Sequence, residues 1–166
     1  MKMIILIATS LFFYTAFAQT TVKSKANGTL EFKELDYGVA DVVNGKVEKL
    51  KNAPTGNHEW LEDFVITKTT DSVPAMLKTN FGVVYQVIAK DTVDIDVVIE
   101  WIYPKKITNE KGEKFKSVKY TTHRPTNIPS ASSYSLDAPY ELVKGEWKEN
   151  IYIEDKLVYT KTFILY

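Results

Sequence analysis

Between residues 93 and 103 every second side chain is large and apolar: Val93, Ile95, Val97, Ile99, Trp101 and Tyr103. A period of two sends successive side chains to opposite faces of a strand, whereas a helix would scatter them around its axis. This segment therefore has to be a strand with one buried face, leaving Asp94, Asp96 and Glu100 on a wet one. Residues 81–90 repeat the pattern with Phe81, Val83, Tyr85 and Val87.

Weaker alternation marks further strands at about residues 28–35, 60–70, 114–122 and 134–138, and a final hairpin of residues 145–153 and 157–166. Asn44-Gly45 reads as a hairpin turn, because both residues accept positive φ. Residues 49–59, with Pro54 and Gly56, read as loop, and Pro74-Ala75-Met76-Leu77 as one helical turn. Pro104 is expected to end its strand, Asn109-Glu110-Lys111-Gly112 to turn the chain, and residues 123–133 to form a long irregular loop. The last hairpin is closed by Glu154-Asp155-Lys156. About seven or eight short strands with almost no helical periodicity predict an all-β antiparallel sandwich, with a closed antiparallel barrel as the runner-up.

The N-terminus carries an address. Lys2, an apolar run, and Ala16-Phe17-Ala18 before Gln19 have the order of a secretory signal with small residues at its cleavage site. The run is broken by Thr9, Ser10 and Thr15 and is shorter than the ~20 residues that span a bilayer. The expected division is a signal peptide of residues 1–18 cleaved after Ala18, a flexible tail of residues 19–27, and one sandwich domain of residues 28–166. The mature protein is then periplasmic or secreted, with no integral membrane segment. The chain has no cysteine, so packing alone must stabilise it. Removing Lys2 leaves 20 basic residues against 21 acidic ones, a balance that gives no general attraction to nucleic acid.

No motif demands a particular chemistry. His58 and His123 are far apart, and their carboxylate neighbours Glu59, Glu62 and Asp63 make a poor zinc set, so no metal and no cofactor is expected. Asp94 and Asp96 read as a wet strand face rather than a calcium site. The serines of residues 130–135 show no base and no nucleophile elbow. Arg124 is the only arginine of the sequence; its planar guanidinium suits bidentate pairing, and Pro125 holds it extended. An internal carboxylate is its expected partner. Tyr134 and Tyr140, beside the long loop, are the tyrosines expected to be exposed, and with His123 and Arg124 they form the candidate binding set.

Three stretches together, Val73-Pro74-Ala75 leading to Phe81-Gly82, then His123-Arg124-Pro125, then Tyr140 to the Gly145-Glu146-Trp147 hairpin, resemble a family of secreted or periplasmic bacterial domains of unknown function. The resemblance implies an immunoglobulin-like β-sandwich and no activity. The combined expectation is a non-enzymatic interaction module for an unknown protein or glycan. A carbohydrate-binding module and a small metal-assisted hydrolase are the alternatives.

Overall fold

The structure is a computed structural model and describes residues 20–24 and 28–166. The expected signal peptide, residues 1–18, lies outside the described residues, as do residues 19 and 25–27 of the expected tail. The elements are β1 Thr20–Ser24, β2 Gly28–Lys49, β3 Asn57–Thr69, β4 Ser72–Val73, β5 Asn80–Ile88, β6 Asp94–Thr108 and β7 Lys114–Pro125. They continue with β8 Ser130–Ser135, a 3-10 turn Pro139–Glu141, β9 Gly145–Ile153 and β10 Lys156–Leu165.

One sheet runs β1-β2-β5-β8, with β3 also paired to β2, and the other runs β4-β10-β9-β6-β7. Only the two-residue β4 is parallel to its neighbour. Neither sheet closes on itself, so the molecule is a sandwich and not the runner-up barrel. The alternation read in β5 and β6 supplies the facing surfaces: Phe81, Val83, Tyr85 and Val87 from one sheet, and Ile95, Val97, Ile99, Trp101 and Tyr103 from the other, are all buried. Phe81 meets Trp101, Trp147 and Phe163 edge-on, with ring centroids 5.4, 6.0 and 5.1 Å away. Such contacts between sheets favour one packing over many, because aromatic edges and faces attract only in specific orientations.

β2 is much longer than its sequence signal. Asn44-Gly45 makes no turn: Asn44 pairs with Leu61 and Val47 with Glu59, so the two positions between them bulge inside a continuing hairpin. A Cβ on Gly45 would come within 2.6 Å of the Glu62 side chain, so glycine here makes room across the bulge. The true turn lies beyond Lys49, in residues 50–56. Where β2 passes from β5 to β3, Gly38 has φ +142°, and a Cβ there would stand 2.0 Å from the Lys68 carbonyl. Only glycine serves at that crossing.

Pro104 does not stop β6 either. It falls where pairing skips from Ile102–Ser117 to Ile107–Phe115, a bulge in which no ladder N–H is required. Residues 123–125, expected in a loop, are the end of β7, an edge strand that accepts Pro125. β8 begins at Ser130, four residues before the expected strand. Thr20–Ser24, expected in the tail, pairs with Gly28–Phe32 of β2. The closing turn is as expected, with Glu154 and Asp155 at φ 50° and 59°, the left-handed pair that a two-residue hairpin needs.

Candidate binding cleft

The tip of the β2–β3 hairpin folds back over the sandwich, between the β7 and β8 edges, and is fastened there. Ala53 is buried in the core cluster, Asn52 donates to the Lys119 carbonyl (2.7 Å), and Asn109 and the Tyr140 hydroxyl donate to the Pro54 carbonyl (3.3 and 3.5 Å). Between this tip and the body lies a cleft of about 280 Å³. One wall is the tip and the start of β3, from Ala53 to Leu61; the other is Ser133, Tyr134 and Ser135 of β8 with Asp137 and Glu141. Trp101, Val118 and Tyr120 form its floor.

His58 stands on the floor's Tyr120, with ring centroids 4.3 Å apart, and meets Trp60 edge-on. Burial, aided by the nearby Arg124 charge, lowers its pKa, which keeps the imidazole neutral around pH 7. Glu141 anchors the opposite wall. It accepts hydrogen bonds from the Tyr134 hydroxyl (2.7 Å) and from the N–H groups of Asp137 and Ala138 (3.0 Å each). Burial raises its pKa against those three bonds. The Tyr103 hydroxyl lies 3.3 Å from that of Tyr134, whose one proton goes to Glu141.

Beneath the floor, between the sheets, is a group of buried polar side chains. Glu149 is wholly buried beside Trp101 on the inner face, and neither of its oxygens has a hydrogen-bond partner among the described residues. Burial pushes its pKa up to about 8; the nearby Ser132 hydroxyl pulls the other way without reaching hydrogen-bond alignment. Tyr85, whose pKa burial raises to about 12, and Thr122 contribute further hydroxyls that have no hydrogen-bond partner among the described residues.

The four residues read as a binding set from the sequence are dispersed. His123 is exposed on the outer face of β7, where its Nδ1 lies 2.6 Å from Asp96. Arg124 points to the inner face and has no carboxylate within salt-bridge distance among the described residues, so the expected ion pair is absent; the Tyr85 hydroxyl is its polar neighbour. Tyr134, expected to be exposed, is 8% exposed and serves as a strut between sheets. Tyr140 is half-buried against the hairpin tip. The sequence reading missed the cleft because the residues 49–59 loop and the β8 serines looked equally featureless. The one available signal was Ala53-Pro54, apolar residues in a polar tip. Among the described residues no group of three His, Cys, Asp or Glu side chains is placed to hold a metal. Because Asp96 is largely exposed, Asp96→Ala should change stability by less than about 0.5 kcal/mol in denaturant melts despite its short contact with His123.

Two open antiparallel sheets packed face to face, with a cleft at one edge, define an immunoglobulin-like β-sandwich domain. The chain belongs to the family described as Domain of unknown function (DUF3859), which matches residues 29–165. Among solved structures it is similar to an immunoglobulin-like protein from Pseudomonas aeruginosa, at 22% identity and TM-score 0.59, over 81% of this chain and 96% of that one. At that identity the likeness concerns the fold. No curated protein matches the chain.

Proposed function

We propose that this domain is a non-catalytic binding module, working outside the cytoplasm, that holds a protein partner in the cleft under the β2–β3 hairpin tip. The observation that carries this reading is the cleft itself, a concave site with an aromatic floor and a polar rim at the edge of a rigid sandwich. Its acids favour binding over catalysis, since each already has a structural partner: Glu141 its three donors, Asp137 the Lys78 ammonium at 2.9 Å, and Glu59 the Asn44 amide at 2.6 Å. A sugar platform finds less support, because Tyr134 is buried and Tyr140 is turned against Pro54.

A photoreactive amino acid at Thr55, on the cleft wall, should give partner adducts that the same residue at Thr160, on the exposed face of β10, does not. Adducts from Thr160 alone would move the site to the outer sheet face. The address rests on residues 1–18, and intact-mass measurement of the exported protein should find a chain beginning at Gln19. A chain that keeps Met1 would refute it.

A further inference from the structure

We propose that the cleft binds an extended peptide segment carrying a basic side chain, which adds as a strand to the free edge of β8. This rests on the reading of the cleft as the binding site and specifies what fills it.

The argument begins with the backbone of β8. Its edge away from β5 pairs with no other strand among the described residues. The Leu136 N–H donates to the Thr79 carbonyl (3.0 Å), which fixes the direction of every residue before it, because N–H and C=O groups alternate sides along an antiparallel strand. In the β5–β8 register, Tyr134, Ser132 and Ser130 therefore turn their backbone groups to β5. Ala131, Ser133 and Ser135 turn theirs outward, and two of these three, Ser133 and Ser135, line the cleft. No hydrogen bond among the described residues reaches these outward groups.

Strand edges left open are a liability that proteins usually blunt with charge, proline or a covering element. The other walls show such devices. At the start of β3 the hydroxyl of Thr55, in the preceding turn, accepts from the Asn57 N–H (3.4 Å) and donates to the Asn57 carbonyl (3.2 Å), closing that position locally. Edge strand β7 carries exposed Lys114, Lys116 and Lys119, and Asn52 occupies the Lys119 carbonyl. β8 reads Ser-Ala-Ser-Ser-Tyr-Ser, with neither charge nor proline. A small, uncharged, unpaired edge facing a cleft is a template for strand addition.

Charge selects the occupant. In a chain with 21 basic and 21 acidic residues, the cleft lining carries Glu59, Asp137 and Glu141 and no lysine or arginine. Lys78 pairs with Asp137 and three donors hold the buried Glu141, so exposed Glu59, whose partner is a neutral amide, is the acid left to meet a cation. Ser133 and Ser135 lie roughly 7 Å apart along the strand, so the paired part of the guest is about three residues long. A lysine or arginine at its centre would reach the exposed Glu59 carboxylate on the facing wall.

The probe is the capped peptide Thr-Val-Lys-Val-Thr, compared with its Thr-Val-Glu-Val-Thr counterpart and with two forms N-methylated at residues of either parity. The readout is the backbone amide shifts of the intact mature domain. Strand addition predicts shifts at Ala131, Ser133 and Ser135. It predicts loss of about tenfold or more in affinity for one N-methylated form only, because only one parity of peptide N–H faces β8. The glutamate peptide should also bind at least about tenfold more weakly at low salt. Ser133→Pro removes an outward N–H and no ladder bond, so it should keep the melting temperature and abolish binding. Equal affinity of all the peptides, or binding that shifts His58 and Glu59 but no β8 amide, overturns strand addition and leaves the cleft as the site. No shift with any peptide at millimolar concentration also overturns it, while the cross-linking from Thr55 still judges the cleft independently. Shifts confined to the outer faces overturn both.

Discussion

Trp101→Ala is expected to cost about 3 to 5 kcal/mol of folding stability, the largest loss from any single truncation argued here. Trp101 is fully buried at the centre of β6, paired with Glu149 on one side and Val118 on the other. Its ring meets Phe81 and Tyr134 edge-on at 5.4 and 5.7 Å and stacks near Phe163 at 6.0 Å. Truncation removes contacts to both sheets at once and opens a cavity that rigid strands cannot collapse to fill. Its indole N–H has no hydrogen-bond partner among the described residues, so that loss is one of packing. Trp101→Phe should therefore recover most of the stability, which equilibrium denaturant melts of both variants would measure. A loss below 1 kcal/mol for Trp101→Ala would contradict the placement of this residue at the heart of the sandwich.

The second large effect is a dependence on pH centred on Glu149. Its carboxyl titrates near pH 4.5 when unfolded and at about 8 when folded. Between those values the native state keeps a proton that the unfolded chain releases, so stability falls as pH rises and levels off once pH passes the folded value. The full range corresponds to about 5 kcal/mol, of which about 2 kcal/mol falls between pH 6.5 and 8. Glu141, also raised by burial, acts in the same sense. His58 acts in the opposite sense: its lowered pKa costs stability as pH drops below 6.5, where the unfolded chain takes up a proton first. His58 therefore offsets a small part of the decline just above pH 6.5, and above about pH 7.5, where the unfolded imidazole is neutral as well, the carboxyls act alone. Glu149→Gln, which cannot ionise, should flatten the decline between pH 6.5 and 8 and be more stable than the parent at pH 8. A parent protein whose stability rises across that window would show that Glu149 is ionised or solvated in the native state.

These two residues also show how far the sequence could be read. Trp101 was legible because its strand is central and amphipathic, so period two alone assigned it to the core. Glu149 lies on the inner face of β9 in register with Trp101, a placement that nothing in the sequence around it announces. Local pattern carries no information about a carboxyl accepted in the core at a cost in its own ionisation. The boundaries that differed have a common cause. Asn44-Gly45, Pro104 and Pro125 are turn and breaker signals, and each sits at a bulge or strand end where tertiary pairing carries the chain past it. The cleft was hidden for a similar reason. It is made by residues 50–61 meeting residues 133–141, stretches far apart in sequence that become neighbours only when the long hairpin folds over an edge. Of the four residues chosen for binding, Tyr134 and Tyr140 border the cleft region through Glu141 and Pro54, while His123 and Arg124 mark two opposite faces of β7.

The most direct measurement uses the chain's lack of cysteine. Thr55→Cys and Ser135→Cys place one thiol on each wall of the cleft, and a short bis-maleimide can bridge them without competing reactions elsewhere. Partner capture is then compared before and after bridging, with a photoreactive residue at Glu59 as reporter and thermal melts as a check on folding. The account predicts that bridging leaves the fold intact and abolishes the Glu59 adducts, while a single-cysteine control treated with the same reagent retains most of them. Undiminished capture by a bridged, folded protein would contradict the claim that this cleft is where the domain binds.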